Sequence, residues 1–293
     1  VEVTYLSETE DKTAGTWDGG EDLKGTGAEI KFSGENTADN GLTTFFTIDV
    51  TGFDVLDAEG ISVSQGASTF LGIRGDFGTV TLGDINVSND AIRDLADPMD
   101  TLGLDTVLAP GEAPETLQYA SPNFGMISFV ADISGGIGDD SDSAYSGRVD
   151  VALETATLHA GYSDAEDTNN YRNWNLGISS SVMGASLAAN YGHFDAVDET
   201  VDQNGDADVD FDLFNVSATV PVGAANVYGV IGYADIGGTD LTQFGLGANY
   251  ALTDNLSVFA EGASFDDVEE EVTDGKPEAV KPDQFAIGAI LKF

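Results

Sequence analysis

Apolar and polar residues alternate along this chain in blocks of about 8–12 residues, and this period constrains its fold more than any other feature. The alternation is clear at Ala28–Phe32, Trp174–Ile178 and Phe244–Tyr250. Because successive side chains of a β-strand point to opposite faces, a period of two predicts strands with one apolar face. Amphipathic helical patterning is hard to find, and no apolar run approaches the roughly 18–20 residues that a membrane-spanning helix requires. The sequence therefore predicts an all-β fold.

The connections between the strand blocks alternate between short and long. Seven short connections lie near Glu35–Gly41, Asp76–Gly78, Ser121–Asn123, Glu154–Thr155, Ser181–Gly184, Val220–Ala224 and Ala251–Asn255. Eight long connections lie near Glu8–Lys24, Phe53–Gly66, Ile85–Ala113, Ser134–Ser143, Ser163–Asn170, His193–Asp208, Asp235–Thr239 and Ser264–Pro282. Together they join sixteen strands, and strict alternation places all the long loops at one end.

Loop lengths sorted by end are typical of a transmembrane barrel, which has short periplasmic turns and longer external loops. Such a sheet must close, because lipid offers no hydrogen-bonding partner to a free edge. The apolar parity would face lipid, and the parity rich in Gly, Asn, Asp, Thr and Ser would face a watery lumen wide enough to conduct. We therefore predict a 16-stranded antiparallel transmembrane β-barrel, a single domain over residues 1–293, with little hydrophobic interior.

The charge of the chain excludes one class of partner. Lys and Arg number 10 and Asp and Glu number 52, which gives a formal charge of −42. A surface this acidic repels phosphate backbones, so nucleic-acid binding is excluded. Self-repulsion on this scale indicates a salty medium that screens it, as in a marine or halophilic habitat. The absence of cysteine removes disulfides, thiolate metal sites and cysteine nucleophiles.

A set of segments, in order along the chain, carries a family resemblance. Ser68–Asp84 has the form of two strands joined by a tight turn; the long connection Ile85–Ala113 and the run Glu115–Phe124 follow it. The terminal block ends in Leu291-Lys292-Phe293, similar to an aromatic-ended last strand. In this order and spacing, over essentially the whole length, the chain resembles the general diffusion porins of Gram-negative outer membranes.

The resemblance implies a homotrimer in a Gram-negative outer membrane, surrounded by lipid and lipopolysaccharide. Small hydrophilic solutes and ions, cations above all, would diffuse through it passively, without a cofactor or a reaction. In the family, the loop at the place of residues 85–113 folds into the barrel and narrows the pore. Loop Phe53–Gly66 would latch onto a neighbouring subunit. The expected subunit contacts are outward residues of the first five strands, including Ile30, Phe32, Ile48, Val50, Leu71 and Ile73.

The chain departs from the family at the expected constriction. Enterobacterial members line the wall opposite the loop with arginines; aligned on the motifs above, these positions fall on Glu29, Asp84 and Ala120. The loop itself holds acids against a single base, Arg93. Its acids are Asp90, Asp94, Asp97, Asp100, Asp105 and Glu112. These residues predict an acidic constriction that concentrates cations; the alternative is a solvated loop that shares the acidity of the whole chain.

A few bases also have lumen parity. Lys31, Arg74 and Arg148 alternate with apolar neighbours, and Arg74 falls toward the periplasmic end. They either partner the loop acids across the pore, or neutralise wall carboxylates such as Asp49 and Asp150.

The segment from Asp202 to Asp212 places oxygen ligands at alternate positions. Asp202, Asp206, Asp208 and Asp210 are therefore weak candidates for Ca²⁺ binding. A proper EF-hand loop ends in a Glu and lies between helices, whereas strands flank this segment, so a solvated loop is the stronger interpretation. The two histidines, His159 and His193, have no ligand-like spacing, nothing positions a Ser-His-Asp site, and no enzyme activity is predicted.

Aromatic residues near strand ends, including Phe45, Trp174, Tyr191 and Tyr233, predict the girdles that mark the two membrane interfaces. A sugar-guiding aromatic track is the alternative. The leading function is a passive pore for small hydrophilic solutes with a preference for cations. A substrate-specific porin for a sugar or another nutrient is the second hypothesis. A calcium-binding secreted adhesin is the third, but the chain lacks the Gly/Asp nonapeptide repeats that would support it.

Overall fold

The structure is a computed structural model of the chain. It describes residues 2–8, 21–53, 64–65, 69–99, 102, 112–135, 143–165, 171–196, 210–236, 239–265 and 284–292. None of the helices in this part of the chain has the length and apolar character needed to cross a bilayer.

The described residues form seventeen β-strands and two short helical turns. The strands are β1 (Glu2–Glu8), β2 (Glu21–Thr37), β3 (Thr43–Phe53), β4 (Ser64–Gln65), β5 (Phe70–Gly75), β6 (Gly78–Asn86), β7 (Glu112–Ala120), β8 (Ile127–Ser134), β9 (Ala144–Ala152), β10 (Ala156–Ala165), β11 (Tyr171–Val182), β12 (Ala185–Ala196), β13 (Phe211–Val222), β14 (Ala225–Ile236), β15 (Thr239–Ala251), β16 (Leu256–Phe265) and β17 (Gln284–Leu291). Between β6 and β7 lie the helix α1 (Asp90–Arg93) and a 3-10 turn (Asp94–Ala96).

The strands pair antiparallel with their neighbours in sequence and form a closed ring. Both β4 and β5 pair with β3, through Val50↔Gln65 and Thr47↔Phe70, so they share one place in the order. β1 pairs with β2 on one side and with β17 on the other, where the register begins at Glu2↔Ile290. The described strands thus occupy sixteen places, and the predicted 16-stranded antiparallel barrel is confirmed.

Loop lengths alternate as predicted, with one difference. The short connections are residues 38–42, 76–77, 121–126, 153–155, 183–184, 223–224 and 252–255. The connection from β14 to β15, predicted among the long ones, comprises only residues 237–238. It is shorter because β14 continues to Ile236 and β15 begins at Thr239, so strand pairing takes up the residues assigned to the loop.

The two faces of the sheet differ in polarity. On β2 and β3, Phe32 and Ile48 point outward and are about half exposed, while Asp49, the next residue after Ile48, is buried on the lumen side. The same exposure extends around the barrel, at Leu71, Leu117, Leu158, Leu176, Val216, Ile231, Leu246 and Ile287. A continuous apolar surface of this extent is unfavourable in water and favourable against lipid, as the alternation predicts.

The aromatic girdle prediction holds for most residues and is wrong for Phe45. Trp174 and Tyr233 are exposed on the outer face. Phe45 instead points into the lumen, where its ring covers Gly72 and meets Phe70 edge-on at a centroid distance of 6.3 Å. The reason is local: adjacent strand residues face opposite sides, and Phe46 occupies the outward position.

The lumen contains a small hydrophobic core, contrary to the expectation of little hydrophobic interior. Leu102, from the segment between β6 and β7, packs against Phe259, Ala263 and Ala286 on the inner face of β16 and β17. Met99, Leu241 and Ile290 pack around this cluster. Part of the inner wall is apolar because a segment of the chain covers it.

Candidate functional site

The segment that follows β6 lies inside the ring of strands. α1 contacts β10, β11 and β12, and the 3-10 turn contacts β12 and β13. Further along, the backbone N–H of Leu102 donates to Glu261 Oε2 on β16, at 3.3 Å. The segment between β6 and β7, residues 87–111, is called the constriction loop; its described residues, 87–99 and 102, lie on the inner wall opposite β2–β5, and the predicted inward-folded loop is confirmed. Solutes that cross the barrel must pass between the loop and that opposite wall.

Hydrogen bonds hold the start of the loop to the wall. The backbone N–H of Ser88 donates to Asp132 Oδ2 at 3.1 Å, and the Arg148 guanidinium donates to the Ser88 carbonyl at 3.3 Å. Asn89 follows, with its N–H on Ser146 Oγ at 3.1 Å and its side-chain Nδ2 on Ser163 Oγ at 3.0 Å. Ser88, Asn89 and Asp132 are all buried. Since the wall groups at this point are polar, only a segment with matching polar groups can pack on it.

Two wall residues without side chains let the loop approach closely. A Cβ on Gly177 would lie 2.8 Å from Leu95 Cδ2 and 2.9 Å from Ile92 Cγ2. Gly161, its diagonal neighbour on β10, would clash in the same way with Asn89 and Ile92. Ile92 is fully buried as a result. Glycine at these places leaves the space that the loop's apolar side chains fill.

Arg93, the basic residue of the loop, is neutralised by carboxylates of the same loop. Arg93 Nη2 lies 2.6 Å from Asp90 Oδ1 and 3.4 Å from Asp94 Oδ1. The side chains of Arg93 and Asp90 are 6% and 5% exposed, so neither lines the water-filled passage as the sequence suggested. Asn190 Nδ2 on β12 donates to the Arg93 carbonyl at 3.0 Å. Asp94, by contrast, is 42% exposed.

A second anchor holds the loop near Leu102. Gln243 Nε2 donates to the Leu102 carbonyl at 2.9 Å, and Glu261 accepts both the Leu102 N–H and the Tyr228 hydroxyl, the latter at 2.9 Å. Gln243 and Glu261 are almost completely buried. Between the anchors, Asp97 Oδ1 accepts the Met99 N–H at 2.9 Å and shapes the turn.

On the opposite wall the bases are paired with wall carboxylates. Lys31 Nζ lies 3.9 Å from Asp49, and Arg74 lies 2.6 Å from Glu35. Arg74 also lies over the Phe45 ring, 5.5 Å from its centroid, beside the short turn at residues 76–77. On β9, Arg148 Nε lies 3.1 Å from Asp150. For Lys31 and Arg148, neutralisation of Asp49 and Asp150 was one of the two predicted roles, and the structure shows it.

Carboxylates exceed bases in the described part of the lumen. On the inner side of the strands and on the described part of the loop there are four bases, Lys31, Arg74, Arg93 and Arg148, and each lies within 4 Å of a carboxylate. The carboxylates on the inner side of the strands and on the described part of the loop are Glu35, Asp49, Asp90, Asp94, Asp97, Asp132, Asp150 and Glu261. The surplus is four negative charges.

A row of three hydrogen-bonded side chains crosses β9, β10 and β11 on the lumen face. His159 Nδ1 lies 2.7 Å from Asp150 Oδ1, and His159 Nε2 lies 3.1 Å from Ser179 Oγ. Parity opposite to that of the outward Leu158 places His159 on the lumen face, but parity cannot identify its partners. The register of the strands makes these side chains neighbours: His159 lies opposite Asp150 on one side, and on the other side it lies opposite Gly177, two residues from Ser179.

Other predicted residues are distant or lie outside the described residues. Asp84 is half-buried at a bulge near the end of β6, where Oδ1 accepts the Glu115 N–H at 3.4 Å. Three predicted residues lie entirely outside the described residues: Asp100, Asp105 and Phe293. For Glu29 and Glu112, the side chains are outside the described part. Of the calcium candidates, Asp202, Asp206 and Asp208 lie outside them too, and Asp210 is exposed before β13. In the described ranges, no group of three His, Asp or Glu side chains could hold a metal ion.

Comparison with known proteins agrees with this architecture. The model of the Gram-negative porin family matches residues 1–269. A monosaccharide porin of a Halomonas species and the major outer membrane protein of Halomonas elongata are each 23% identical over 303 aligned residues, which cover 85% of this chain and 81% of the relative. The trimer form of OmpT, an outer membrane protein of Vibrio cholerae, superposes with a TM-score of 0.73 at 16% identity, covering 99% of this chain and 96% of that one.

Proposed function

Because the chain belongs to the Gram-negative porin family, we propose that it is a diffusion pore of the outer membrane with a preference for cations. Family membership establishes the coarser part of this statement: the protein is an outer-membrane channel and not an enzyme. The preference for cations is the finer part, and it rests on the charges in the lumen.

The observation that carries the proposal is the surplus of four carboxylates over bases on the inner side of the strands and the described loop, where Lys31, Arg74, Arg93 and Arg148 are each paired with a carboxylate. Two unit charges 4 Å apart interact by about 1 kcal/mol in water and by more in a narrow passage of lower dielectric. A permeating chloride ion therefore meets a barrier, and a potassium ion meets an attractive well. Asp94 and Asp97 on the loop contribute to this field where the passage is narrowed.

A planar-bilayer recording under a KCl gradient tests the preference. We expect a cation-positive reversal potential at 0.1 M salt that shrinks at 1 M, because the Debye length falls from about 10 Å to about 3 Å. Asp94→Asn with Asp97→Asn should reduce it while keeping the oxygen that accepts the Met99 N–H. The matched control, Asp212→Asn with Asp240→Asn, removes two charges from the outer face and should leave it unchanged. An anion-selective or neutral pore at 0.1 M would refute the proposal.

The proposed assembly is a homotrimer with contacts on the outer face of β2–β6. The Vibrio cholerae OmpT relative is known in a trimer form. On β10–β14 the outer face carries Tyr162, Trp174, Tyr191 and Tyr233, the residue types of a lipid interface. Among the described outward residues of β2–β6 there is no Tyr or Trp; Phe32, Ile48, Leu71 and Ile73 take their place. An apolar sector without interfacial aromatics fits burial against another subunit.

A second candidate function is passage of a sugar. The Halomonas relative is named a monosaccharide porin. In this chain, the Phe45–Phe70 pair faces the lumen, and an aromatic face can pack on the C–H face of a sugar. A liposome uptake assay tests this candidate. If liposomes that contain the protein take up glucose no faster than they take up a disaccharide too large for the pore, passage of a sugar is excluded.

A further inference from the structure

A cavity of about 510 Å³ lies between the constriction loop and the short turn at residues 153–155. Leu95 of the loop lines it, together with the turn at residues 153–155 and residues of β10, β11 and β12. The turn is one of the short ones, so the cavity lies on the periplasmic side of the loop. Volumes of roughly 300–1,000 Å³ are typical of small-molecule sites.

The lining of this cavity combines hydroxyl groups with aliphatic carbon. Leu95 and Leu153 supply apolar surface, and Glu154 is the one charged residue among its lining in the described chain. Register places Thr157 beside Ser179 and Ser181 beside Ser186, all on the lumen face. The hydroxyl residues of the lining are Thr155, Thr157, Ser179, Ser180, Ser181 and Ser186.

The hydrogen bonds behind the cavity orient the Ser179 hydroxyl. The Asp150 carboxylate, held beside Arg148, can only accept, so the proton of a neutral His159 lies on Nδ1. Nε2 then accepts the Ser179 hydroxyl proton. This leaves the lone pairs of Ser179 Oγ to accept a hydrogen bond from a ligand. The same order of partners activates a serine in hydrolases, but in a channel it presents a fixed acceptor.

We infer that this cavity, the subloop pocket, is a binding site for a neutral polyhydroxylated solute of monosaccharide size. Hydroxyls both donate and accept, so a cluster of them matches a polyol. The leucines match the C–H face of a sugar ring. A lining with a single carboxylate and no base favours neither an anion nor a tightly held cation. The inference rests on the proposed channel function, because the solute reaches the pocket through the pore.

The probe is D-glucose, and two measurements read its binding. The first is titration of glucose against potassium current through the protein in a planar bilayer. The second is saturation-transfer NMR of glucose with detergent-solubilised protein, which does not depend on conduction. Ser179→Ala and Ser186→Ala each remove one hydroxyl. Each should weaken glucose binding about fivefold, which is the contribution expected of one hydrogen bond. Thr81→Val removes a lumen hydroxyl on β6 that does not line the pocket and should leave binding unchanged.

The outcomes separate this inference from the proposed function. Wild-type protein with no saturation transfer to glucose overturns the inference, even if the pore prefers cations as proposed. If Thr81→Val weakens glucose binding as much as Ser179→Ala does, the sugar binds elsewhere, and the inference is overturned in this case too. Binding that only the two serine variants weaken supports it, even if the reversal potential shows a neutral pore. Unchanged mobility of the unheated variants on gels shows that they have folded.

Discussion

At the residue scale, single positions on the lumen wall decide where the loop lies and which charges remain. Gly177 accommodates Leu95 and Ile92 because a Cβ there would lie closer than 3 Å to both. Arg74 is bound to Glu35 and so cancels one carboxylate of the open wall. Neither role is visible in the residue itself, since glycines and scattered bases occur throughout the chain.

Gly177→Ala should loosen the loop. The added methyl group displaces Leu95 and Ile92, and overpacking of this kind costs about 1–3 kcal/mol. We expect more frequent closures or substates in single-channel records. Gly147→Ala is the matched control on β9, since its Cβ would meet only the Val130 carbonyl at 3.7 Å. Equal channel noise in both variants would show that close packing at Gly177 does not hold the loop.

Arg74→Gln should strengthen the preference for cations. The change removes one of the four lumen bases and raises the carboxylate surplus from four to five, so the reversal potential should become more positive at 0.1 M salt. Arg172→Gln removes an equally charged residue, paired with Asp164 at 3.4 Å near the outer rim, and should have little effect. A shift toward anions in Arg74→Gln would contradict the charge balance described here.

At the element scale, the constriction loop is a segment with two anchors of different chemistry. Its start is held by polar contacts of Ser88 and Asn89, and Leu102 is held by apolar packing and by hydrogen bonds from Gln243 and to Glu261. α1 is a single turn and has little stability of its own. The wall therefore determines the conformation of the loop, and the two anchors should act together.

A double-mutant cycle tests this cooperation. Asn89→Ala removes the bond to Ser163, and Leu102→Ala removes the buried leucine of the second anchor. Each alone should leave the loop in place with slightly raised conductance; together they should release it, so that the combined increase exceeds the sum of the two. Leu187→Ala on the outer face serves as the control. Additive effects would mean that the two ends of the loop move independently.

At the scale of the whole molecule, closure of the ring by β1 and β17 satisfies the strand edges that lipid would leave unpaired. The outer face then differs by sector, with Tyr and Trp on β10–β14 and aliphatic residues and Phe on β2–β6. This asymmetry determines how copies of the barrel would associate.

Truncation of the proposed subunit contact should weaken the trimer. Phe32→Ala with Leu71→Ala removes two large outward side chains from β2 and β5, and the temperature at which the oligomer dissociates on unboiled gels should fall. Leu176→Ala with Phe244→Ala makes an equivalent change on β11 and β15, and the lipid there should tolerate it. If the second pair lowers that temperature as much as the first, the contact lies elsewhere.

The sequence by itself determined the strands, their order and their orientation. Period-two alternation is a local property, so Ile30 and Phe32 could be assigned to one face, and the seven short turns could be placed, without knowledge of any contact across the barrel. The acidity of the loop and the lumen parity of Lys31, Arg148 and His159 follow from the same local patterns.

Only the tertiary structure decided which of those groups meet. Asp90 and Arg93 are three residues apart in the sequence, but their burial depends on strands β10–β12, which lie far along the chain. The pairing of Leu102 with Gln243 and Glu261, and the row Asp150–His159–Ser179, join residues whose relative position is set by barrel closure and register. Alternation fixes which face a side chain takes, but its neighbours across the lumen depend on the path of a loop that has no period of its own.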